Sequence, residues 1–300
     1  MIVVVGEALV DLVRRVDGSI SAHPGGGPFN TARTLGRLGR PVTFLGRLSN
    51  DAFGRQLRAE LTADGVGDAT APDTDDPTTL ALAQLDEGGA ATYHFYVQGT
   101  SVPGLTPDDA LTLVPAQVDA LHVGTLGLVL EPFAVAAEAL VDRLAGSALV
   151  LVDPNVRPIL ITDRSGYLAR LERIVAKADV LKVSDEDLAW LAPGVEPITA
   201  ARRLLDQGAG LVLVTLGANG ATAVGPGFAE HVDAPAVDVI DTIGAGDSFA
   251  GAVLAWWEEH DRPSLADATT ARAAVAFAVR VAAITCSRAG ANPPWRYELD

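Results

Sequence analysis

Short apolar runs alternate with amphipathic stretches along almost the whole of the 300-residue chain. "MIVVV", "VTFLGRL" (42–48), "DALHV" (119–123), "ALVLVD" (148–153), "DVLKV" (179–183) and "LVLVTL" (211–216) hold too few polar residues to keep one face in water. They read as strands covered on both sides. The segments between them have helical period. In "FGRQLRAELTADG" (53–65), Phe53, Leu57 and Leu61 recur every four residues and Gly65 follows as a stop. Similar patterns predict helices over 28–38, 132–144, 199–207, 246–259 and 267–284. Strands buried on both faces and joined by helices belong to a parallel sheet with crossovers. The expected fold is α/β, a three-layer, mostly parallel sheet with helices on both faces. The 49% hydrophobic content is enough for one large domain or two small ones, and a single domain over 1–300 is expected.

Two segments break that rhythm. "LVDLVRRVDGSIS" (9–21) and "TTLALAQLDEGGAATYHFYVQ" (78–98) alternate with period two, and Asp-Glu-Gly-Gly at 86–89 supplies a hairpin turn. They predict a small antiparallel β lid, with strands from about 10–21 and 78–98, standing off the main sheet. Such a flap can cover a cleft or serve as a homodimer surface.

The formal net charge of −16 repels polyphosphate backbones and argues against nucleic acid as a partner. Lys177 and Lys182 are the only lysines, so phosphate contacts must come mostly from arginines and backbone amides. The single cysteine, Cys286, excludes an intrachain disulfide and reads as a small buried hydrophobe. The opening apolar run is five residues long before Glu7 and Asp11, too short for a secretory core, and no run suggests a membrane span. The expected compartment is the cytoplasm. His94 and His122 stand alone and read as ordinary strand residues.

Ligands of open α/β sheets collect beyond the carboxyl ends of the strands. The polar clusters Gly6-Glu7, "DPNVR" (153–157), "SDED" (184–187) and "GANG" (217–220) all follow apolar runs and fall at that edge. So does "DTIGAGDSFAGAVL" (241–254). Gly244 and Gly246 permit close backbone approach, and the helix that follows turns its free N–H groups toward the loop. A dinucleotide fingerprint needs glycine at 249, where Phe249 stands, and no Gly-Lys pair makes a Walker loop. Asp247 then has two readings: a helix N-cap, or a base that takes the proton of an attacking hydroxyl while the amides hold a phosphoryl group. Other residues divide in the same way. Asp11 is a lid-surface carboxylate or a ligand, Gly25 to Gly27 a plain turn or a cradle. Asn30 is a helix cap or a contact, and Arg157 a surface ion pair or a phosphate fork.

"DTIGAGDSFAGAVL" resembles the C-terminal signature of the ribokinase-like (PfkB) family of carbohydrate kinases, and "PGGGPFNTARTLGRLG" (24–39) its N-terminal signature. Together with "GEALVDL", "DPNVRP", "KVSDEDLAWL", "LVTLGANGA" and "SRAGANP", in family order over nearly the whole chain, they resemble the fructokinase branch. The resemblance implies that Asp247 is the catalytic base, that Gly244, Ala245 and Gly246 form the anion hole, and that Arg157 faces the phosphates or the sugar. It places the sugar at Asp11, Gly25, Gly26 and Asn30. It places ATP at Lys182, Ser184, Thr215, Gly217 and Gly220 together with Gly244 and Gly246. Asp241 and the carbonyl of Ile243, near Arg288 and Gly290, match a monovalent-cation site suited to K+.

Where the family often shows Asn-x-x-Glu near Mg2+, this chain has Ser184 and Asp187. Aspartate is one methylene shorter than glutamate, a difference that contact through water absorbs. Many fructokinases carry arginine after Phe-Tyr in the lid; here Val97 and Gln98 follow, so Gln98 takes the place of a sugar contact. The implied activity is transfer of the γ-phosphoryl group of ATP to a primary hydroxyl of a small sugar, fructose first. The alternatives are 2-keto-3-deoxygluconate kinase or ribokinase-type activity and, from another class, a non-catalytic sugar or nucleotide sensor.

Overall fold

The computed structural model describes residues 1–67, 72–86 and 91–299. Among the described residues, fourteen strands, β1 to β14, follow one another along the chain. Eight of them form the main sheet: β1 (Ile2–Val5), β4 (Val42–Leu45), β9 (Ala120–Gly124), β10 (Leu149–Asp153), β11 (Val180–Ser184), β12 (Leu211–Thr215), β13 (Ala221–Gly225) and β14 (Phe228–Val232). Their order across the sheet is β14-β13-β12-β11-β10-β9-β1-β4. All pairings from β4 to β12 are parallel, and β13 and β14 add an antiparallel edge.

The predicted strands fall where the apolar runs lie. The period-two geometry divides each strand between two cores. Ile2 and Val4 of β1, with Leu211 and Leu213 of β12, face one core. There they meet α1 (Gly27–Arg37), α2 (Ala52–Ala63), α8 (Ala245–Glu259) and α9 (Ala268–Cys286). Val3, Val5, Val212 and Val214 face the other, under α3 (Pro107–Leu113), α4 (Phe133–Leu144), α5 (Arg164–Val175), α6 (Asp185–Leu191) and α7 (Pro197–Asp206). Those are the expected three layers. The apolar pattern does not single out α3, α5, α6 or the β13–β14 hairpin; α3 and α6 are seven residues each, too short to show a helical period. Helix α9 is long and apolar enough to cross a membrane. In the fold it packs on α8, with Ala271, Ala274, Val275 and Ala278 buried.

The lid is a second sheet, β3-β2-β7-β8, of β2 (Leu9–Arg14), β3 (Ile20–Gly25), β7 (Leu80–Leu85) and β8 (Ala91–Tyr96). The sequence predicts an antiparallel sheet. Each hairpin is antiparallel, and the two join through a parallel β2–β7 pair. Residues 87–89 of the predicted turn lie outside the described residues. A small third sheet pairs β5 (Leu48–Ser49) with β6 (Asp73–Thr74). Strand β3 runs directly into the glycine run. Gly25 ends the strand, Gly27 starts α1, and Gly26 between them takes φ 110.

Candidate active site

Helix α8 begins at Gly244, which sits in the left-handed region at φ 78. A Cβ there would lie 2.6 Å from the Ala291 Cβ, so both backbone angle and space require glycine. Ala245, Gly246 and Asp247 form the first turn, whose N–H groups have no acceptor within the helix. Asp247 is buried there but makes no cap. Its Oδ2 accepts from Asn30 Nδ2 at 2.9 Å, and its carbonyl accepts from Thr31 Oγ1 at 3.2 Å. The N-cap reading of Asp247 is thereby excluded. Asn30 does not cap either, since Gly26 is the N-cap of α1 and Asn30 lies inside the helix.

Asp247 Oδ1 points at the start of α1. A Cβ on Gly27 would sit 2.8 Å from Thr125 Oγ1, 3.2 Å from Asp247 Oδ1 and 3.3 Å from Asn155 Nδ2. The missing side chain thus leaves three polar atoms from three elements converging on one small space. Thr125 and Asn155 both hold positive φ, at 50 and 38, just beyond β9 and β10. Asn155 is held by Arg157, whose Nη1 donates to the Asn155 carbonyl and Oδ1 at 3.0 and 2.7 Å and to the Val156 carbonyl at 3.2 Å. Arg157 makes no surface ion pair among the described residues. Its positive charge favours the ionised form of Glu7, Asp11, Asp153 and Asp247.

Burial pushes the Asp247 carboxyl up to about 6. The Asn30 bond, Lys182 and Arg157 draw it down, and Asp153 pushes it up. Burial also raises Asp11 to about 6, against the pull of Arg157. Asp11 lies on lid strand β2 rather than beyond a core strand, and a Cβ on Gly25 would meet its Oδ2 at 2.0 Å. Gly25 therefore gives the Asp11 carboxylate its room.

Glu7 was legible only as a polar residue at the strand edge. It is 1% exposed, and its two oxygens accept from the N–H groups of Gly27 at 3.1 Å and Leu126 at 3.2 Å. Burial carries its carboxyl up to about 8 although backbone N–H groups oppose it. Glu7 ties the glycine turn to the Thr125–Leu126 turn, a signal visible in sequence only as a charge set hard against an apolar strand.

An arrangement with a buried carboxylate, a pocket of polar atoms and a helix N-terminus side by side can deprotonate an alcohol beside a bound phosphoryl group. The pfkB family carbohydrate kinase profile matches residues 1–296. The chain belongs to that family. As a pfkB carbohydrate kinase it is a phosphotransferase with a sugar hydroxyl as acceptor. It is 38% identical over 259 residues to a fructokinase of Rhizobium leguminosarum bv. trifolii, covering 85% of this chain and 79% of that protein. It is 34% identical over 304 residues to the probable fructokinase-4 of Arabidopsis thaliana, covering 98% and 93%. Among solved structures it resembles the Vibrio cholerae O395 fructokinase in its fructose-, ADP- and calcium-bound form. The TM-score is 0.86 with 30% identity, over 97% of this chain and 94% of that one. It also resembles the Salmonella enterica aminoimidazole riboside kinase complexed with its riboside and an ATP analog, at TM-score 0.85 and 28% identity over 97% and 94%.

Within this kinase the remaining site residues divide. Lys182, expected on the ATP side, is 4% exposed and pairs with Asp153 at 2.9 Å, so it has no open face for a nucleotide. Gly220 turns β12 into β13; a Cβ there would lie 2.0 Å from the Val232 carbonyl oxygen, which accounts for the glycine without a ligand. Gly217 faces open space, and Thr215 Oγ1 donates to the Val183 carbonyl at 3.4 Å.

Ser184 and Asp187 form a capping box at the start of α6, and Asp187 Oδ1 also accepts from Val156 N–H at 2.7 Å. Asp241 accepts from the N–H groups of Ile243 and Gly290 at 3.0 and 2.9 Å and so holds those two loops together. The Arg288 side chain turns to Glu298 at 2.7 Å. Gln98 lies exposed in the turn after β8 and makes no hydrogen bond to the group around Asp247. Cys286, expected buried, is half-buried, and its carbonyl accepts from Ile240 and Asp241. His122 is buried on β9, and burial pushes its imidazole down to about 3, so it stays neutral.

Proposed function

We propose that this kinase transfers the γ-phosphoryl group of ATP to a primary hydroxyl of fructose, with Asp247 as general base. The observation that carries the reading is Asp247 itself: buried in the first turn of α8, excluded from capping, fixed by Asn30, and open through Oδ1 to the space beside Gly27. A hydroxyl in that space gives its proton to Oδ1. Its oxygen attacks the γ-phosphorus, and the bond to the β,γ-bridging oxygen breaks to leave ADP. The N–H groups of Gly246 and Asp247 face the charge that develops on the transferring group. Asp11, Gly25, Gly26, Asn30, Thr125 and Asn155 hold the sugar, while Ser184, Thr215 and Gly217 border the nucleotide. Arg157 is released from Asn155 toward phosphate or sugar when they bind.

Among the described residues no three His, Cys, Asp or Glu side chains gather as a metal cage. Mg2+ would be held by the nucleotide phosphates and water, with Asp187, whose oxygens already accept from Val156 and Ser184 N–H, acting on it only through water. Such an ion would neutralise charge on the β- and γ-phosphates. A K+ site fits the turn that Asp241 braces, through backbone carbonyls at Ile243 and near Arg288 and Gly290.

Fructose is chosen because the relatives named above are fructokinases. Ribosides come second, on the likeness to the aminoimidazole riboside kinase. The lid sheet covers the sugar and offers a homodimer face, and the compartment is the cytoplasm. A coupled ADP-release assay over fructose, ribose, aminoimidazole riboside and 2-keto-3-deoxygluconate tests the substrate. A tenfold preference for any other compound, about 1.4 kcal/mol in transition-state binding, overturns fructose.

A further inference from the structure

Beneath the anion loop the protein buries a complete ion pair. Lys182 Nζ donates to Asp153 Oδ2 at 2.9 Å, and their side chains are 5% and 4% exposed. They come from neighbouring parallel strands, β11 and β10, near the carboxyl edge of the sheet. A Cβ on Gly246 would lie 2.9 Å from Lys182 Nζ, so the ammonium sits against the residue next to Asp247. Asp153 Oδ1 is buried with no partner. Replacing a buried ion pair by apolar side chains of like volume is often neutral or stabilising, so stability alone does not explain this one.

We propose that Lys182 and Asp153 are a positioning pair that sets the proton affinity of Asp247, the ammonium favouring the ionised base and the carboxylate opposing it. The proposal rests on Asp247 being the base, and it assigns neither residue a contact with substrate. The groups that face Asp247 can be taken element by element. Asn30 comes from α1, Glu7 from the loop after β1, and Asp153 and Arg157 from the end of β10 and its loop. Lys182 comes from β11. Of these, Lys182 and Arg157 favour ionisation by charge, Asn30 by its hydrogen bond, and Asp153 disfavours it. Burial would lower the Lys182 ammonium, but Asp153, Asp187 and Asp247 together outweigh it and hold the proton on. His122, next to the pair on β9, stays neutral and adds no charge.

The test is the acid limb of kcat/KM for the sugar against pH, at saturating ATP. It is read in the wild type, Lys182→Met, Lys182→Arg, Asp153→Asn and the Lys182→Met/Asp153→Asn double variant. Lys182→Met is expected to move the limb upward by on the order of one pH unit and Asp153→Asn downward, with the double variant and Lys182→Arg back near the wild type. A pair that merely supports the fold would lower activity at every pH and leave the limb in place. Limbs that stay fixed in both single variants, or move the same way, overturn the proposal. If Lys182→Met does not fold, Asp153→Asn decides alone: a downward shift supports the pair's role, and a fixed or upward limb ends it. Asp247→Asn separates the two readings. Near-normal turnover in that variant removes the base itself, whereas an inactive Asp247→Asn beside immobile limbs removes only the pair's role.

Discussion

Asn30 Nδ2 donates to Asp247 Oδ2 at 2.9 Å, a buried bond across 217 residues of chain that joins the helix after the glycine run to the helix after the anion loop. It turns one carboxylate oxygen away from solvent and leaves the other toward the space beside Gly27. Asn30 Oδ1 is buried without a protein partner, so it can accept from a sugar hydroxyl. Asn30→Ala should therefore lower kcat/KM by roughly 10²-fold, the loss of an orienting bond and of a substrate contact, each worth on the order of 1.5 kcal/mol. Steady-state kinetics decide it, and unchanged kcat/KM would detach Asn30 from the site.

Asp247→Asn keeps shape and can still bond Asn30, but it cannot take a proton. Turnover should drop by about 10²–10⁴-fold while the affinities for sugar and ATP change little. Because Asp247 caps nothing, the variant should melt at or above the wild-type temperature. Calorimetric titration and thermal unfolding, read beside turnover, separate the base from a structural carboxylate.

The pH dependence follows from the raised proton affinity of Asp247. Burial is the main cause, and it puts the carboxyl at about 6. A base must be ionised, so kcat/KM should rise through pH 6 and level off above about 7, falling roughly tenfold per unit well below the midpoint. Asp11, also raised to about 6 by burial, sharpens the fall if the sugar needs it charged. Asp11→Asn should leave the simpler limb. Activity that is flat from pH 5 to 8 would contradict the assignment.

Gly27 offers a cleaner separation of binding from folding. It lies at the first position of α1, and its φ is not in the left-handed region, so alanine suits the backbone there. Its Cβ, however, would enter the space between Thr125, Asn155 and Asp247. Because the crowded atoms are side-chain ends that can give way, Gly27→Ala should lose little stability in urea while KM for the sugar rises about tenfold or more. Gly26→Ala should differ by losing stability. At φ 110 and with a Cβ 2.5 Å from the Glu7 carbonyl oxygen, it should lose roughly 1–3 kcal/mol of stability.

Much of this could be read from the chain because strands buried on both faces leave an unambiguous apolar pattern, and because the glycine loops fix backbone geometry by residue type. The Gly244–Gly246 turn and its helix lie where the sequence places them. Pairings between distant segments were not legible. Nothing local says that Asn30 meets Asp247, or that Lys182, which looks like a phosphate ligand, turns inward to Asp153. Thr125 and Asn155 were missed because a positive φ on a non-glycine residue has no sequence signature. The short α6 was hidden by its acidic start, "SDED", which reads as a ligand cluster and is in part a capping box.

Glu7 supplies the last prediction. Its carboxyl is the only side-chain link shown between the backbone of Gly27 and that of Leu126 among the described residues, and Gly27 and Thr125, the neighbour of Leu126, border the space proposed for the sugar. Each N–H needs an acceptor, because an unpaired buried donor costs about 1–3 kcal/mol. Glu7→Gln keeps the volume and offers one carbonyl oxygen, but its amide group meets the second N–H donor to donor. Compared above pH 8, where Glu7 is ionised, the variant should lose roughly 1–3 kcal/mol in urea unfolding, and the two turns should drift apart. The sugar's KM should then rise several-fold while kcat at saturation falls less, since Asp247 and the α8 loop are anchored separately through Asn30 and Thr31. Glu7→Asp, one methylene shorter, should reach only one of the two N–H groups and give an intermediate loss. Equal falls in kcat and kcat/KM would mean that Glu7 acts on the reacting groups instead. Wild-type stability together with wild-type KM would leave this buried carboxylate without a role in holding the sugar site.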